Sequence, residues 1–311
     1  MSISLINKKI LVTGANGMVG TALVKKLIKI KCKILKPNRR ELNLLNNSEV
    51  TNYIKKNKPD IIFMIAAKVG GIFANNEYPA NYIYENLQIQ NNIIHAAKSY
   101  FVKKIIFIGS SCIYPKKCRQ PIKENYLLTG KLEETNQWYA VAKIAGIKMI
   151  QAYRKQYNCD FISVMPCNMY GPNDNYDLKN SHVMAALIKK FVFAKVNGSK
   201  KVEVWGSGKP KREFMHVDDF SLALIKLAKS YSSYEPINVG SGQEITITNL
   251  AKLIKKKLNY NGKIIYNRKY PDGTPRKILN NKKISNLGWK PKIKLKDGID
   301  DAIKDFKKNY L

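Results

Sequence analysis

Lys9-Ile10-Leu11-Val12-Thr13 is an apolar run closed by a glycine-punctuated turn, Gly14-Ala15-Asn16-Gly17-Met18-Val19-Gly20. From Thr21 to Ile28 apolar residues then recur at helical spacing. That order predicts a strand, a tight turn and a helix. Apolar segments return at Cys32 to Leu35, Asp60 to Ala67, Lys104 to Gly109 and Phe161 to Pro166, with helical stretches between them. Strands alternating with helices predict a parallel, doubly wound sheet. The helix over 76–99 carries the stripe Ile83, Leu87, Ile93, Ile94 and Ala97, and the helix over 136–157 carries Ala140, Ile144, Ile147 and Ile150. Each stripe is expected to cover a face of the sheet.

Beyond Tyr170-Gly171-Pro172 the rhythm loosens into a loop (173–181), a helix (182–196), a short strand (201–205) and a Gly/Pro-rich stretch (206–210). A second, smaller lobe is expected to start here. Helix 217–230 and strand 236–239 are read as returning to the first lobe, whereas 246–257 and 262–311 fit the second. The expected partition is 1–168 plus about 214–241 for the first lobe, and about 169–213 plus 242–311 for the second.

With 311 residues, 45% of them hydrophobic, the chain can bury a large core, which excludes a disulfide-stapled mini-fold or a disordered tail. The formal net charge is +33, from 55 basic and 22 acidic residues spread in short groups from Lys8 to Lys308. A diffuse lysine excess is a solvated background that favours anionic ligands. No zinc-finger spacing, RNA-binding aromatic signature or basic zipper accompanies it, so no specific nucleic-acid partner is expected. Five cysteines without a CxxC pair, and no leader of the secretory kind, suggest a reduced cytoplasmic setting. The longest strongly apolar run, Ile61 to Ala67, is far short of the roughly 20 residues that span a bilayer. Three histidines without paired ligand spacing make no case for a metal.

Glycines at 14, 17 and 20, placed after the first strand and opening a helix, suit close approach to a pyrophosphate and predict a dinucleotide site. An NAD-preferring site would carry an acid at the end of the second strand. Here Leu35-Lys36-Pro37-Asn38 runs into Arg39 and Arg40, whose guanidinium groups suit a 2'-phosphate, so the cofactor is read as NADP(H). Ser110 follows the strand 104–108, and Tyr139 and Lys143 lie four apart on the following helix. One helical face then places an ammonium beside a phenol, and the serine hydroxyl can bind the same carbonyl oxygen.

At these residues the chain resembles the extended short-chain dehydrogenase/reductase family. The resemblance runs through Ala66-Ala67-Lys68-Val69-Gly70-Gly71, Ser110-Ser111-Cys112-Ile113-Tyr114-Pro115, Tyr139 to Lys148, Asn180-Ser181-His182-Val183, Arg212-Glu213-Phe214 and Asp272-Gly273-Thr274-Pro275-Arg276-Lys277, nearly the whole chain. It implies a Rossmann-like sheet with a smaller C-terminal α/β lobe that binds substrate. It also implies NADPH-dependent conversion of GDP-4-keto-6-deoxy-D-mannose to GDP-L-fucose, by epimerisation at C3 and C5 followed by reduction at C4. The catalytic set is then Ser110, Cys112, Tyr139, Lys143 and His182, with Cys112 as the base and His182 as the facing acid.

By the same resemblance the cofactor meets Gly14, Asn16, Gly17, Met18, Val19, Gly20, Arg39, Arg40, Asn43, Leu44, Ala66, Ala67, Tyr139, Lys143, Pro166, Asn168 and His182. The nucleotide-sugar meets Ser110, Ser111, Asn168, Lys190, Trp205, Arg212 and Lys277. Asn16 and Lys190 depart from the family pattern, each standing where well-known members carry Arg. A homodimer through the helices over 76–99 and 136–157 is expected by analogy. The alternative reading is C4 reduction of a related GDP-4-keto sugar such as a heptose, with or without epimerisation. A further one is a non-enzymatic NADP-sensing protein that binds nucleic acid.

Overall fold

Runs apolar on both faces end as strands buried on both faces. The structure, a computed structural model, describes residues 3–311. Its first half runs β1 (Lys9–Thr13), α1 (Met18–Leu27), β2 (Lys33–Leu35), α2 (Asn47–Asn57), β3 (Ile61–Met64), α3 (Ile72–Glu77), α4 (Pro79–Ser99), β4 (Lys104–Ile108), α5 (Gln137–Tyr157) and β5 (Asp160–Pro166). There follow β6 (Asn168–Tyr170), α6 (Val183–Val196), β7 (Lys201–Trp205), β8 (Lys211–His216), α7 (Val217–Ser230) and β9 (Ile237–Val239). The chain ends with β10 (Glu244–Thr246), α8 (Ile247–Lys257), β11 (Lys263–Asn267), β12 (Arg276–Lys277), α9 (Lys282–Asn286) and α10 (Leu295–Tyr310).

Six strands form one sheet in the order β2-β1-β3-β4-β5-β9, every pairing parallel. Every residue of β3 and of β4 is buried, as expected where helices cover both faces. The direction of winding reverses between β1 and β3, and a crevice opens beyond their carboxyl ends, where ligands of such sheets bind. The second apolar cluster gathers Tyr170, Tyr176, Phe214, the inner faces of α6, α8 and α10, and Val202 and Val204 of β7. Beside it lies a small sheet, β10-β8-β12, in which β6 also pairs with β8. The two clusters interleave along the chain: Phe214 belongs to the second, whereas Leu279, Ile284 and Trp289 pack in the first.

The stretch over 76–99, read from the sequence as one helix, is divided between α3 and α4 at Tyr78, which has φ −122° and ψ 51°. The cause is Pro79, because a proline ring disfavours helical backbone at the residue before it. The expected stripe on this helix also shifts. Ile83 and Leu87 are only half-buried, while Tyr82, Asn86 and Gln90 point inward. Asn86 bonds the backbone of Lys68 in both directions, and Gln90 donates to the carbonyl of Ala142 on α5. Asn86 satisfies buried backbone groups where the helix meets a loop, and Gln90 ties α4 to α5, tasks no apolar residue performs. The stripe on α5 is buried as read.

Candidate active site

The glycine turn shows why its residue types are required. Gly14 has φ +70°, and a Cβ there would lie 2.9 Å from the Ala66 nitrogen; a Cβ on Gly20 would lie 2.1 Å from the Gly14 carbonyl oxygen. Gly20 therefore seats α1 against the turn and faces no cavity. Gly17 caps α1 without any side-chain hydrogen bond, which leaves the first N–H groups of the helix for an anion. The Thr13 hydroxyl accepts from Ile65 and Ala66 N–H at 3.2 and 3.3 Å, so β3 ends earlier than its apolar run and turns across the mouth of the crevice.

A cavity of about 860 Å³ is lined by Gly14, Gly17, Met18, Val19, Ala66, Ala67, Pro166 and Asn168 together with the whole expected catalytic set. An adjoining crevice of about 400 Å³ takes in Asn16, Arg39, Asn43 and Leu44. Arg39 thus reaches the expected cofactor crevice. Arg40 lines neither space: it is exposed, and its N–H is taken up by the Asn38 side chain at 2.8 Å. The capless helix end, the cradle that only glycine allows and the adjacent Arg39 fit a dinucleotide with a 2'-phosphate.

At the centre of the cavity, the Lys143 ammonium donates to the Ile108 carbonyl at 2.9 Å and sits 5.8 Å from the Tyr139 ring centre. Burial lowers the Lys143 pKa to about 7. Enclosure raises the Tyr139 phenol above its ordinary value, and the neighbouring Cys112 adds to the rise, against a hydrogen bond with Ser110 that lowers it. The sequence reading has the Lys143 ammonium drawing the phenol towards its phenolate. In the structure burial prevails, so Tyr139 is held protonated, the form that donates a proton. Ser110 opens the turn after β4, its hydroxyl accepting from Cys112 N–H at 3.2 Å.

Cys112 and His182 reach this cavity from different elements. Cys112 lies in the short turn after β4, and His182 stands immediately before α6. The His182 pKa is lowered, first by the protein around it and then by the charge of Lys277. Substrate-side residues also converge on the cavity: Ser111, Asn168, Lys190, Trp205, Arg212 and Lys277 all line it. Lys190 lies 4.4 Å from the centre of the Trp205 ring, and Tyr270 stacks on that ring at 4.1 Å. Arg212 donates to the Lys211 and Asp272 carbonyls.

Three contributors escape sequence reading. Asn136 directs Nδ2 at the Cys112 sulfur, 3.7 Å away; its spacing of three residues before Tyr139 is the signal that places it on the same face. Tyr270, in a loop without periodicity, gave none. Glu213 is fully buried, accepts from Gly242 N–H at 2.6 Å and Leu279 N–H at 2.9 Å, and has its pKa raised by burial to about 7. It ties β8, which carries Arg212, to the segment following Lys277. His216 caps α7, and His95 is exposed and bonded to Tyr153.

A parallel sheet whose switch point holds a phosphate turn, with a Ser-Tyr-Lys group facing the same space, defines a dinucleotide-dependent enzyme that works at a carbonyl. The chain belongs to the NAD dependent epimerase/dehydratase family, whose model matches residues 10–240. It is 51% identical over 304 residues to the putative GDP-L-fucose synthase 2 of Arabidopsis thaliana, covering 97% of this chain and 93% of that protein. Among solved structures it resembles a GDP-6-OMe-4-keto-L-xylo-heptose reductase from C. jejuni, with a TM-score of 0.93, 34% identity and 99% of each chain covered. A GDP-L-fucose synthetase from Naegleria fowleri bound to NADP superposes with a TM-score of 0.90 at 29% identity, covering 100% of this chain and 95% of that one.

Proposed function

We propose that the chain converts GDP-4-keto-6-deoxy-D-mannose to GDP-L-fucose with NADP(H), first inverting C3 and C5 and then reducing C4. The observation that carries this reading is that Cys112 and His182 share one cavity with Ser110, Tyr139 and Lys143. A plain reductase has no use for an acid and base facing the carbons beside the carbonyl. Ser110 and Tyr139 hold the C4 oxygen and stabilise the enolate, Cys112 removes the C3 and C5 protons, and His182 returns them from the other face. Tyr139 then protonates O4. The glycine turn and Arg39 would hold NADPH, whose chemistry there would be hydride supply to C4. Lys190, Trp205, Arg212 and Lys277 hold the nucleotide, so the cofactor belongs to the lobe 1–168 plus about 214–241 and the GDP moiety to the remainder.

Incubation with this sugar and NADPH in deuterated water, with the product identified by NMR, tests the reading. GDP-L-fucose deuterated at C3 and C5 is expected. An unlabelled C4-reduced sugar would reduce the chain to a simple ketoreductase. The second reading, C4 reduction of a GDP-4-keto heptose, draws on the likeness to the C. jejuni enzyme; turnover of the heptose with none of the hexose would establish it.

Cofactor binding carries a pH signature. With a pKa of about 7, Lys143 has largely lost its proton at about pH 8 and holds it at about pH 6. A cofactor carrying net negative charge in the same cavity favours the ammonium, so binding should draw a proton onto the protein at about pH 8 and much less at about pH 6. Calorimetry in buffers of different ionisation enthalpy measures that uptake, and equal values at both pH settings would exclude Lys143 as its source. Among the described residues no helix is long and apolar enough to cross a membrane. The five cysteines are free, consistent with a cytoplasmic location. Tyr84 on α4 and Trp138 and Val141 on α5 are exposed, and these two helices offer the face for a homodimer.

A further inference from the structure

Cys112 can take a proton from carbon only as a thiolate, and the residues around its sulfur differ in what they offer that form. Lys277 Nζ lies 3.6 Å from Cys112 Sγ, the only side-chain partner of that ammonium among the described residues. The neutral amide of Asn136 approaches at 3.7 Å. Arg212 on β8 and Tyr139 on α5 are also near enough to interact electrostatically with Cys112, but the Arg212 guanidinium donates to the Lys211 and Asp272 carbonyls. Tyr139 is uncharged in its protonated form.

The fold fixes Lys277 in place from two sides. β12 runs parallel to β8 in a register that sets Lys277 opposite Arg212. The backbone that follows is bonded at Ile278 N–H to Gln120 Oε1 (2.9 Å), at Leu279 N–H to Glu213 Oε2 (2.9 Å) and at Asn280 N–H to the Ile122 carbonyl (2.8 Å). Gln120 and Ile122 belong to the loop that continues from Cys112, so the lysine and the cysteine are braced against each other.

We infer that Lys277 is a catalytic residue of epimerisation, its ammonium stabilising the Cys112 thiolate that removes the C3 and C5 protons. This goes beyond a nucleotide-holding role and rests on the epimerase-reductase reading. In the step, the sulfur forms an S–H bond as the C–H bond breaks, and the electron pair passes into the enolate with its charge on O4. Protonated His182 delivers a proton to the opposite face of the carbon. Proton exchange with water then returns the thiol and imidazole to their starting forms. An ammonium next to a thiol favours the thiolate, and the same charge disfavours a proton on His182.

The test compares K277M and K277R with the unaltered protein, using NADPH binding to verify folding. Iodoacetamide alkylation of the Cys112 peptide at neutral pH, followed by mass spectrometry, should be about tenfold slower in K277M and little changed in K277R. With GDP-4-keto-6-deoxy-D-mannose in deuterated water, C3 and C5 exchange in K277M should fall about 10²-fold further than C4 reduction. An unchanged alkylation rate, with exchange and reduction falling together through KM, would overturn the inference and leave Lys277 a phosphate ligand. If the unaltered protein neither exchanges nor reduces this sugar, the functional reading fails, and the alkylation rate alone decides the pairing.

Discussion

Replacing Tyr139 by Phe should lower C4 reduction by about 10² to 10⁴-fold, the usual contribution of a positioned acid. The substitution removes one hydroxyl. It leaves the ring and the helix α5 intact, so NADPH binding and thermal stability should hold. The phenol is kept protonated by burial, and the Ser110 hydroxyl beside it works the other way. Without it the developing negative charge on O4 has only the Ser110 hydroxyl. Exchange at C3 and C5 should also slow, because the enolate and the reduced alkoxide place charge on the same oxygen. Single-turnover oxidation of NADPH gives the reduction rate. A rate within tenfold of the unaltered enzyme would remove Tyr139 from the proton-donor role.

The second large effect separates the two half-reactions. Cys112→Ser is nearly isosteric at a half-buried position, and an alcohol is far too weak an acid to present its alkoxide near neutrality. Exchange at C3 and C5 should fall by about 10² to 10⁴-fold, while Ser110, Tyr139 and Lys143 are untouched. The product should therefore shift towards a C4-reduced sugar that keeps the substrate configuration at C3 and C5 and carries no deuterium there. NMR of the product in deuterated water reads both features. Doubly labelled GDP-L-fucose formed at the unaltered rate would assign the base to another group and would also dissolve the case for Lys277.

Much of the first lobe was legible along the chain because each central strand is enclosed on both faces and has to be continuously apolar. β1, β4 and β5 lie where the apolar runs place them, within a residue. The second lobe was harder to read. β8, the centre of its small sheet, begins Lys211-Arg212-Glu213, a sequence with the look of a solvated turn. Glu213 is buried there because two backbone N–H groups from distant loops meet its carboxylate, and nothing local to residue 213 reports those donors. The polar inner face of α4 escaped for the same reason: Asn86 and Gln90 are buried because of backbone groups at Lys68 and Ala142.

By itself the sequence determined the chemical parts. The glycine spacing dictates a phosphate turn, the four-residue interval places Tyr139 and Lys143 on one face, and Ser110 and Cys112 follow a strand end. Each is a local property, set by backbone geometry over a few residues. The tertiary structure alone decided which parts meet. It turned Arg39 to the crevice and Arg40 to solvent, brought His182 into one cavity with Cys112, stacked Tyr270 on Trp205, and laid Lys277 against a sulfur 165 residues earlier in the chain. Contacts across such separations depend on how helices and sheets pack against one another, and that packing is a property of the whole core and of no single segment.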